Sequence, residues 1–179
     1  WGMDVDQMSI GNSYTAGIHE SPDAQGSSEY GTNMYDIFSK KVLGWHILKH
    51  HNTDLVRLAL LDAVKNSEAT PEILHSDQGS EYESQEYTNL QKGLEIQISR
   101  SKIASPWENG FQESFYSQFK LELGDVSRFK HFGDLIEAIH QQINYYNKSR
   151  IHSKLKMSPN EFFTKYQLSL IQLKTKRLL

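Results

Sequence analysis

The sequence contains no cysteine, which excludes disulfides, thiolate metal sites and cysteine nucleophiles together and suits a reducing compartment. No run of eighteen apolar residues occurs, so no membrane-spanning helix is expected. The first residues lack the basic, apolar, then small-residue order of a secretory signal. Also missing are a His-Glu-x-x-His, a glycine-rich loop ending in Gly-Lys and a Gly-x-Ser-x-Gly. Zinc proteases, nucleotide triphosphatases and elbow-type hydrolases therefore lack their signatures here. Basic charge is scarce over most of the chain. Residues 1–147 hold 11 Lys and Arg against 21 Asp and Glu, whereas residues 148–179 hold 8 against Glu161 alone. A basic end segment can attract polyphosphate, and it can equally be a solvated helix.

What is present is 179 residues with 37% apolar and 11% aromatic content, enough for one soluble mixed domain with a core plus a terminal extension. Trp1 is not a natural start, so the chain reads as a fragment of a longer protein. Residues 1–10 alternate and predict a strand that puts Asp4 and Asp6 on one side. Residues 11–31, rich in Gly, Ser, Asn and Asp, read as a long connection or a poorly formed hairpin. Residues 29–37 and 41–49 predict an antiparallel pair, and residues 53–66 a helix with Leu55, Leu58 and Asp62 near one stripe. A strand over 72–75, a helix over 84–92 and an alternating strand over 94–98 follow. Helices are predicted over 105–121, with Phe111, Phe115 and Phe119 as a buried stripe, over 132–147, and from a capped start at Ser158-Pro159-Asn160-Glu161 to about 166.

The stretch HSDQGSEY, residues 75–82, places Asp77 just past a strand's carboxyl end, where open mixed sheets bind ligands. Alone, Asp77 reads as an ordinary turn former. With Asp4 or Asp6 on one side of another strand, and Glu113 about 200° round a helix from Phe111, it makes a candidate all-oxygen site. Such a site suits Mg²⁺ or Mn²⁺, and two such ions serve phosphodiester transfer. His75, two residues from Asp77, is a possible further ligand or a brace of the turn.

Six segments carry a resemblance: Trp1-Gly-Met-Asp4; residues 35–45, YDIFSKKVLGW; HSDQGSEY; residues 105–115, SPWENGFQESF; residues 145–152, YYNKSRIH; and residues 158–162, SPNEF. Asp77 and Glu113 are separated by 35 residues. The chain resembles the catalytic core of bacterial insertion-sequence transposases, akin to retroviral integrase. The resemblance implies a ribonuclease-H-like α/β fold with a mixed five-stranded sheet flanked by helices, over residues 1–166, with 167–179 as a helical extension or tail.

It further implies that Asp4, Asp77 and Glu113 are the metal-holding catalytic triad, with one pair of Mg²⁺ or Mn²⁺ ions in the substrate complex. Asp6, His75 and Asn109 would support the site or add a ligand. Lys102, Tyr116, Lys120, Arg150, His152 and Lys154 would contact DNA. The implied reaction is DNA strand cleavage and strand transfer on transposon ends and target DNA. The implied setting is a homo-oligomer on DNA, in the bacterial cytoplasm at the nucleoid, without membrane. A ribonuclease-H-like or structure-specific nuclease, or a noncatalytic assembly module, are the rival expectations. The chain departs from the family pattern at Asp6, where Thr is usual, at Glu108, where Asp is commoner, in the long polar stretch 7–34 and in its acidic body. DNA-binding elements of the helix-turn-helix kind are expected upstream.

Overall fold

The computed structural model describes residues 13–22, 28–67, 69–101 and 110–176. Five strands, β1 (Ser13–Pro22), β2 (Ser28–Asp36), β3 (Val42–Leu48), β4 (Ile73–Ser76) and β5 (Gln97–Arg100), lie in the order β3-β2-β1-β4-β5. β1 and β2 form a long antiparallel hairpin, from Tyr14 opposite Asp36 to Pro22 opposite Ser28. β3 extends it antiparallel, with an irregularity at Met34/Tyr35. On its other side β1 runs parallel to β4, Thr15 beside His75, and β4 runs parallel to β5.

The helices are α1 (Thr53–Ser67), α2 (Ser80–Glu83), α3 (Gln85–Gly93), α4 (Gly110–Leu123), α5 (Phe132–Lys148) and α6 (Pro159–Lys176), with a 3₁₀ turn at Val126–Arg128. Alternation along the strands divides the core in two. Met34 and Leu43 join Val56, Ala59, Leu60 and Ala63 of α1 and Tyr82 and Tyr87 on one face. Tyr35 and Val42 join Phe115, Ile143 and Tyr146 on the other, where α4 and α5 lie. β3 packs so closely on α1 that a Cβ at Gly44 would lie 2.1 Å from the Ala59 carbonyl oxygen and 2.6 Å from Ala63 N. Asn147 closes the start of this edge strand, accepting from Val42 N at 3.0 Å and donating to Val42 O at 2.8 Å.

The expected fold class, with its mixed five-stranded sheet, needs correction in the sheet. That sheet took its first strand from residues 1–10, which lie outside the described residues, and left 11–31 as a long connection or a poorly formed hairpin, where the structure shows a well-paired hairpin. In the structure Ser13–Pro22 is itself the central strand. A strand paired on both sides is held by its ladder of backbone hydrogen bonds, so polar composition did not prevent it. Ala16, fully buried, anchors it to the core. The strand expected at 94–98 begins only at Gln97. Before it, Leu94 N still donates to Leu90 O, and Glu95 turns the chain at φ 59. The buried face of α1 is Leu55, Val56, Ala59, Leu60 and Ala63 instead of a Leu55–Leu58–Asp62 stripe. Asp62 faces His46 at 3.9 Å.

Two caps follow the sequence pattern. Ser84 Oγ accepts from Tyr87 N at 3.2 Å. At α6, Glu161 N donates to Ser158 Oγ at 3.3 Å while Ser158 N donates to Glu161 Oε2 at 3.0 Å, a reciprocal capping box. α6 continues unbroken across residue 166 to Lys176. No helix among the described residues is long and apolar enough to cross a membrane.

Candidate active site

β4 is short and nearly fully buried, and its end delivers HSDQGSEY to the surface within a few residues. His75 is buried, with Nδ1 2.9 Å from Ser99 Oγ and Nε2 3.0 Å from Ser101 Oγ. Both ring nitrogens are thus engaged across β4 and β5, which makes His75 a brace between strands. Asp77 is exposed. Its Oδ1 accepts from Gly79 N at 3.0 Å, the local Asx turn that orients the carboxylate. A Cβ at Gly79 would meet Glu81 Oε2 at 2.7 Å and Asp77 Oδ1 at 3.2 Å, so a larger residue there would displace these carboxylates. Glu81, nearly buried, accepts from Ser80 Oγ at 2.8 Å and lies 3.1 Å from His51 Nδ1.

Glu113 falls in the first turn of α4, which packs against β1. β1 is also the neighbour of β4. A second relation links the two segments. The Tyr82 hydroxyl is held well above its usual range, by burial first, then by Tyr87 and Tyr116, with Asp77 also raising it. Tyr116 and Asp77 therefore both lie within electrostatic reach of one buried group. Tyr116 is three residues after Glu113 along α4. Its own hydroxyl is raised by burial, against a bond to the Asn33 backbone. The ring packs on Phe115, so Tyr116 belongs to the wall of the core.

Asp4, Asp6, Lys102 and Asn109 lie outside the described residues. Among the described residues no group of three or more His, Asp or Glu side chains forms a metal cluster. Asp77 is the one member of the expected triad whose carboxylate is described. Its donor set fits a hard divalent cation: an exposed carboxylate at a strand end, one oxygen fixed by a backbone N–H, with the nearby imidazole occupied elsewhere.

The expected DNA-contacting residues fall in two places. Lys120 is exposed on α4 at the mouth of an apolar cavity of about 90 Å³ that Phe115, Tyr116 and Phe119 also line. Arg150, His152 and Lys154 line a cleft of about 550 Å³ between α4 and the connector that follows α5. Arg150 Nε lies 2.7 Å from Glu122 Oε1, and its guanidinium sits 5.7 Å from the Tyr146 ring centroid. Its charge is thus shared with the fold. Sequence reasoning missed Lys40, which lines the same cleft. Lys40 is only 6% exposed, and burial, with Lys154 nearby, pulls it down to about 8 against the opposing pull of Asp36. The signal available was the basic pair Lys40-Lys41 in a turn between two strands.

Two Integrase core domain models match, one over residues 18–106 and one over residues 94–159. The transposase for insertion sequence element IS904 of Lactococcus lactis is 33% identical over 147 residues, 81% of this chain and 58% of that protein. An uncharacterized transposase-like protein of Haemophilus influenzae is 33% identical over 152 residues, 84% of this chain and 70% of that protein. The HTLV-2 integrase catalytic core domain in complex with magnesium, in its trimeric form, shares the fold with a TM-score of 0.68 at 17% identity, over 85% of this chain and 95% of that one. The chain spans little more than half the length of the IS904 transposase.

Proposed function

Because this chain belongs to the integrase-core family shared by retroviral integrases and bacterial insertion-sequence transposases, we propose that it carries the acidic site for DNA strand cleavage and strand transfer in transposition. The observation that carries this reading is Asp77, an exposed carboxylate at the end of β4 with one oxygen held by Gly79 N at 3.0 Å, in a chain 33% identical over 84% of its length to a transposase-like protein. Glu113 lies 36 positions on, in the first turn of α4.

Asp4, Asp77 and Glu113 would hold one or two Mg²⁺ or Mn²⁺ ions. Such ions, when bound, activate an attacking hydroxyl and stabilise a leaving oxygen. The magnesium-bound relative supports this choice of ion. The remaining work falls to the chain's own residues. Gly79 N fixes one carboxylate oxygen of Asp77, and His75 holds β4 to β5, so this member of the proposed triad is oriented before an ion binds. In the first step water attacks a phosphodiester at a transposon end, and the bond from phosphorus to the 3′ oxygen breaks, leaving a 3′ hydroxyl. In the second that hydroxyl attacks a phosphodiester of the target, forming one P–O bond as another breaks. No protein nucleophile is required, and Tyr82 and Tyr116, both buried and held protonated, are unsuited to be one. DNA is the partner, and joining two ends calls for at least two copies of the chain on it. Asp6 and Asn109 would support the acidic rim, and Lys102 and Lys120 would meet DNA beside it.

The test compares wild-type protein, Asp77→Asn and Glu113→Gln on paired transposon-end substrates with Mg²⁺. Loss of both cleavage and joining by about a thousandfold, on the order of 4 kcal/mol, is the expected outcome for each variant, with unchanged thermal unfolding. Retained activity in either one contradicts the assignment.

A further inference from the structure

The face of the sheet that carries α4 and α5 holds a buried amide that the fold does not use. Met34 turns to the α1 core and Tyr35 to the α4–α5 core, so alternation along β2 turns Asn33 the same way as Tyr35. Asn33 is only 3% exposed, and neither its Oδ1 nor its Nδ2 has a hydrogen-bond partner. Asparagine is a poor strand residue, and a buried amide that bonds to nothing is disfavoured. Valine or isoleucine would suit this position in β2 better if packing were its only duty.

Asn33 lines the apolar cavity of about 90 Å³ between the sheet and helices α4 and α5. Phe115 and Phe119 of α4, Trp45 of β3, and Ile139 and Ile143 of α5 form its walls. The other polar side chains of the lining point elsewhere or lie at the rim. Thr32 turns to the opposite face, toward Tyr82. His46 faces Asp62 at 3.9 Å, and the Tyr116 hydroxyl meets the backbone of Asn33, not its side chain. Lys120, at the mouth, is exposed to water. Among the described residues, the Asn33 amide is thus the buried hydrogen-bonding group that the cavity presents to an occupant.

Size and lining select the occupant. The volume is several times the roughly 10–15 Å³ that one water needs, and it admits a single small ring. Aromatic and aliphatic walls take the faces of a flat apolar body. An asparagine side chain presents C=O beside N–H, so its complement is an edge with N–H beside C=O, closed by two hydrogen bonds. Apolar walls with no buried cation disfavour a charged edge such as a carboxylate. We propose that the cavity binds a small, neutral, planar molecule with an amide edge, of the lactam or pyridone class, held by two hydrogen bonds to Asn33. The occupant lies between β2 and the Phe115 and Phe119 rings, and so braces the helix that carries Glu113 against the sheet. The site goes beyond the DNA-processing reading and does not depend on it.

The test titrates isotope-labelled protein with 2-pyridone, N-methyl-2-pyridone and benzoate by nuclear magnetic resonance. The Asn33 side-chain amide signals are identified by their loss in Asn33→Val. In wild type, 2-pyridone is expected to shift them saturably at about millimolar concentration. N-methyl-2-pyridone, whose donor is blocked, should bind about 10-fold more weakly. In Asn33→Val, followed through the Trp45 indole N–H, the two pyridones should bind alike, and the variant should melt at or above the wild-type temperature, since an unpaired amide has been replaced by an apolar group. Ile139→Phe fills the cavity from α5 and should bind neither. The site is overturned by a wild-type protein that shows no saturable shift with 2-pyridone, or by Ile139→Phe binding it normally. Equal wild-type affinity for the two pyridones, or tighter binding of benzoate, overturns the amide edge. So does Asn33→Val melting well below wild type, which would show that the amide already has a partner inside the fold. None of these readouts uses DNA or a divalent ion, so they stand or fall apart from the acidic site.

Discussion

At the scale of single residues, Lys40 offers a direct readout through pH. Burial first, then Lys154, lower it from 10.5 to about 8, with Asp36 acting in the opposite direction. Between about 8 and 10.5 the unfolded chain binds a proton here that the folded chain does not. Lys40 therefore makes stability rise with pH across that window. The buried tyrosines act oppositely above about 10, since their hydroxyls are raised in the fold and ionise first in the unfolded chain. The clean comparison is the difference between wild type and Lys40→Met in chemical denaturation from pH 7.5 to 10. Wild type is expected to gain stability relative to the variant over this range, and parallel curves would contradict the buried placement of Lys40. Asp36, Lys154 and His152 are the charged groups facing it, and Asp36→Asn should deepen its shift.

At the scale of elements, close packing and capping make separate predictions. A methyl group at Gly44 would drive β3 into the backbone of α1 at Ala59 and Ala63, so Gly44→Ala should destabilise by about 3 kcal/mol or more, measured by urea unfolding. Ser158→Ala removes one half of the α6 capping box and should cost about 1 kcal/mol with little effect elsewhere. These elements also show what a sequence can reveal. The capping box, the Ser84 cap and the strand leading to Asp77 were legible because their signals are local, within a few residues of the feature they specify. β1 was not legible. Its stability comes from ladders to β2 on one side and β4 on the other, while its Ser, Thr, Gly and His residues carry turn and strand tendencies together. β5 began late because Glu95 takes a left-handed turn that no composition announces. Arg150 was expected beside DNA from the family resemblance, whereas its partner Glu122, 28 positions away, was not foreseen. Lys40 was missed for the same reason, since its neighbours in the cleft come from a connector more than a hundred residues later.

At the scale of the whole molecule, charge and fold act in different directions. The body is acidic and the segment from 148 onward is basic, so attraction for a polyanion is concentrated in that segment instead of being spread over the chain. Under the proposed reading, the carboxylate of Asp77 and its triad partners would repel DNA until divalent cations neutralise them, which would tie substrate engagement to metal. Binding of a transposon-end duplex should therefore strengthen on adding Mg²⁺ to wild type and much less in Asp77→Asn, even as monovalent salt weakens both. The fold supports this reading by packing α4 on β1, the neighbour of β4.

Anomalous diffraction at the manganese edge from crystals grown with Mn²⁺ and a transposon-end duplex tests the proposed triad without relying on turnover. The expected map shows manganese within coordination distance, about 2 to 2.3 Å, of carboxylate oxygens from Asp4, Asp77 and Glu113. Manganese elsewhere, or these three carboxylates too far apart to share an ion with DNA bound, would contradict it.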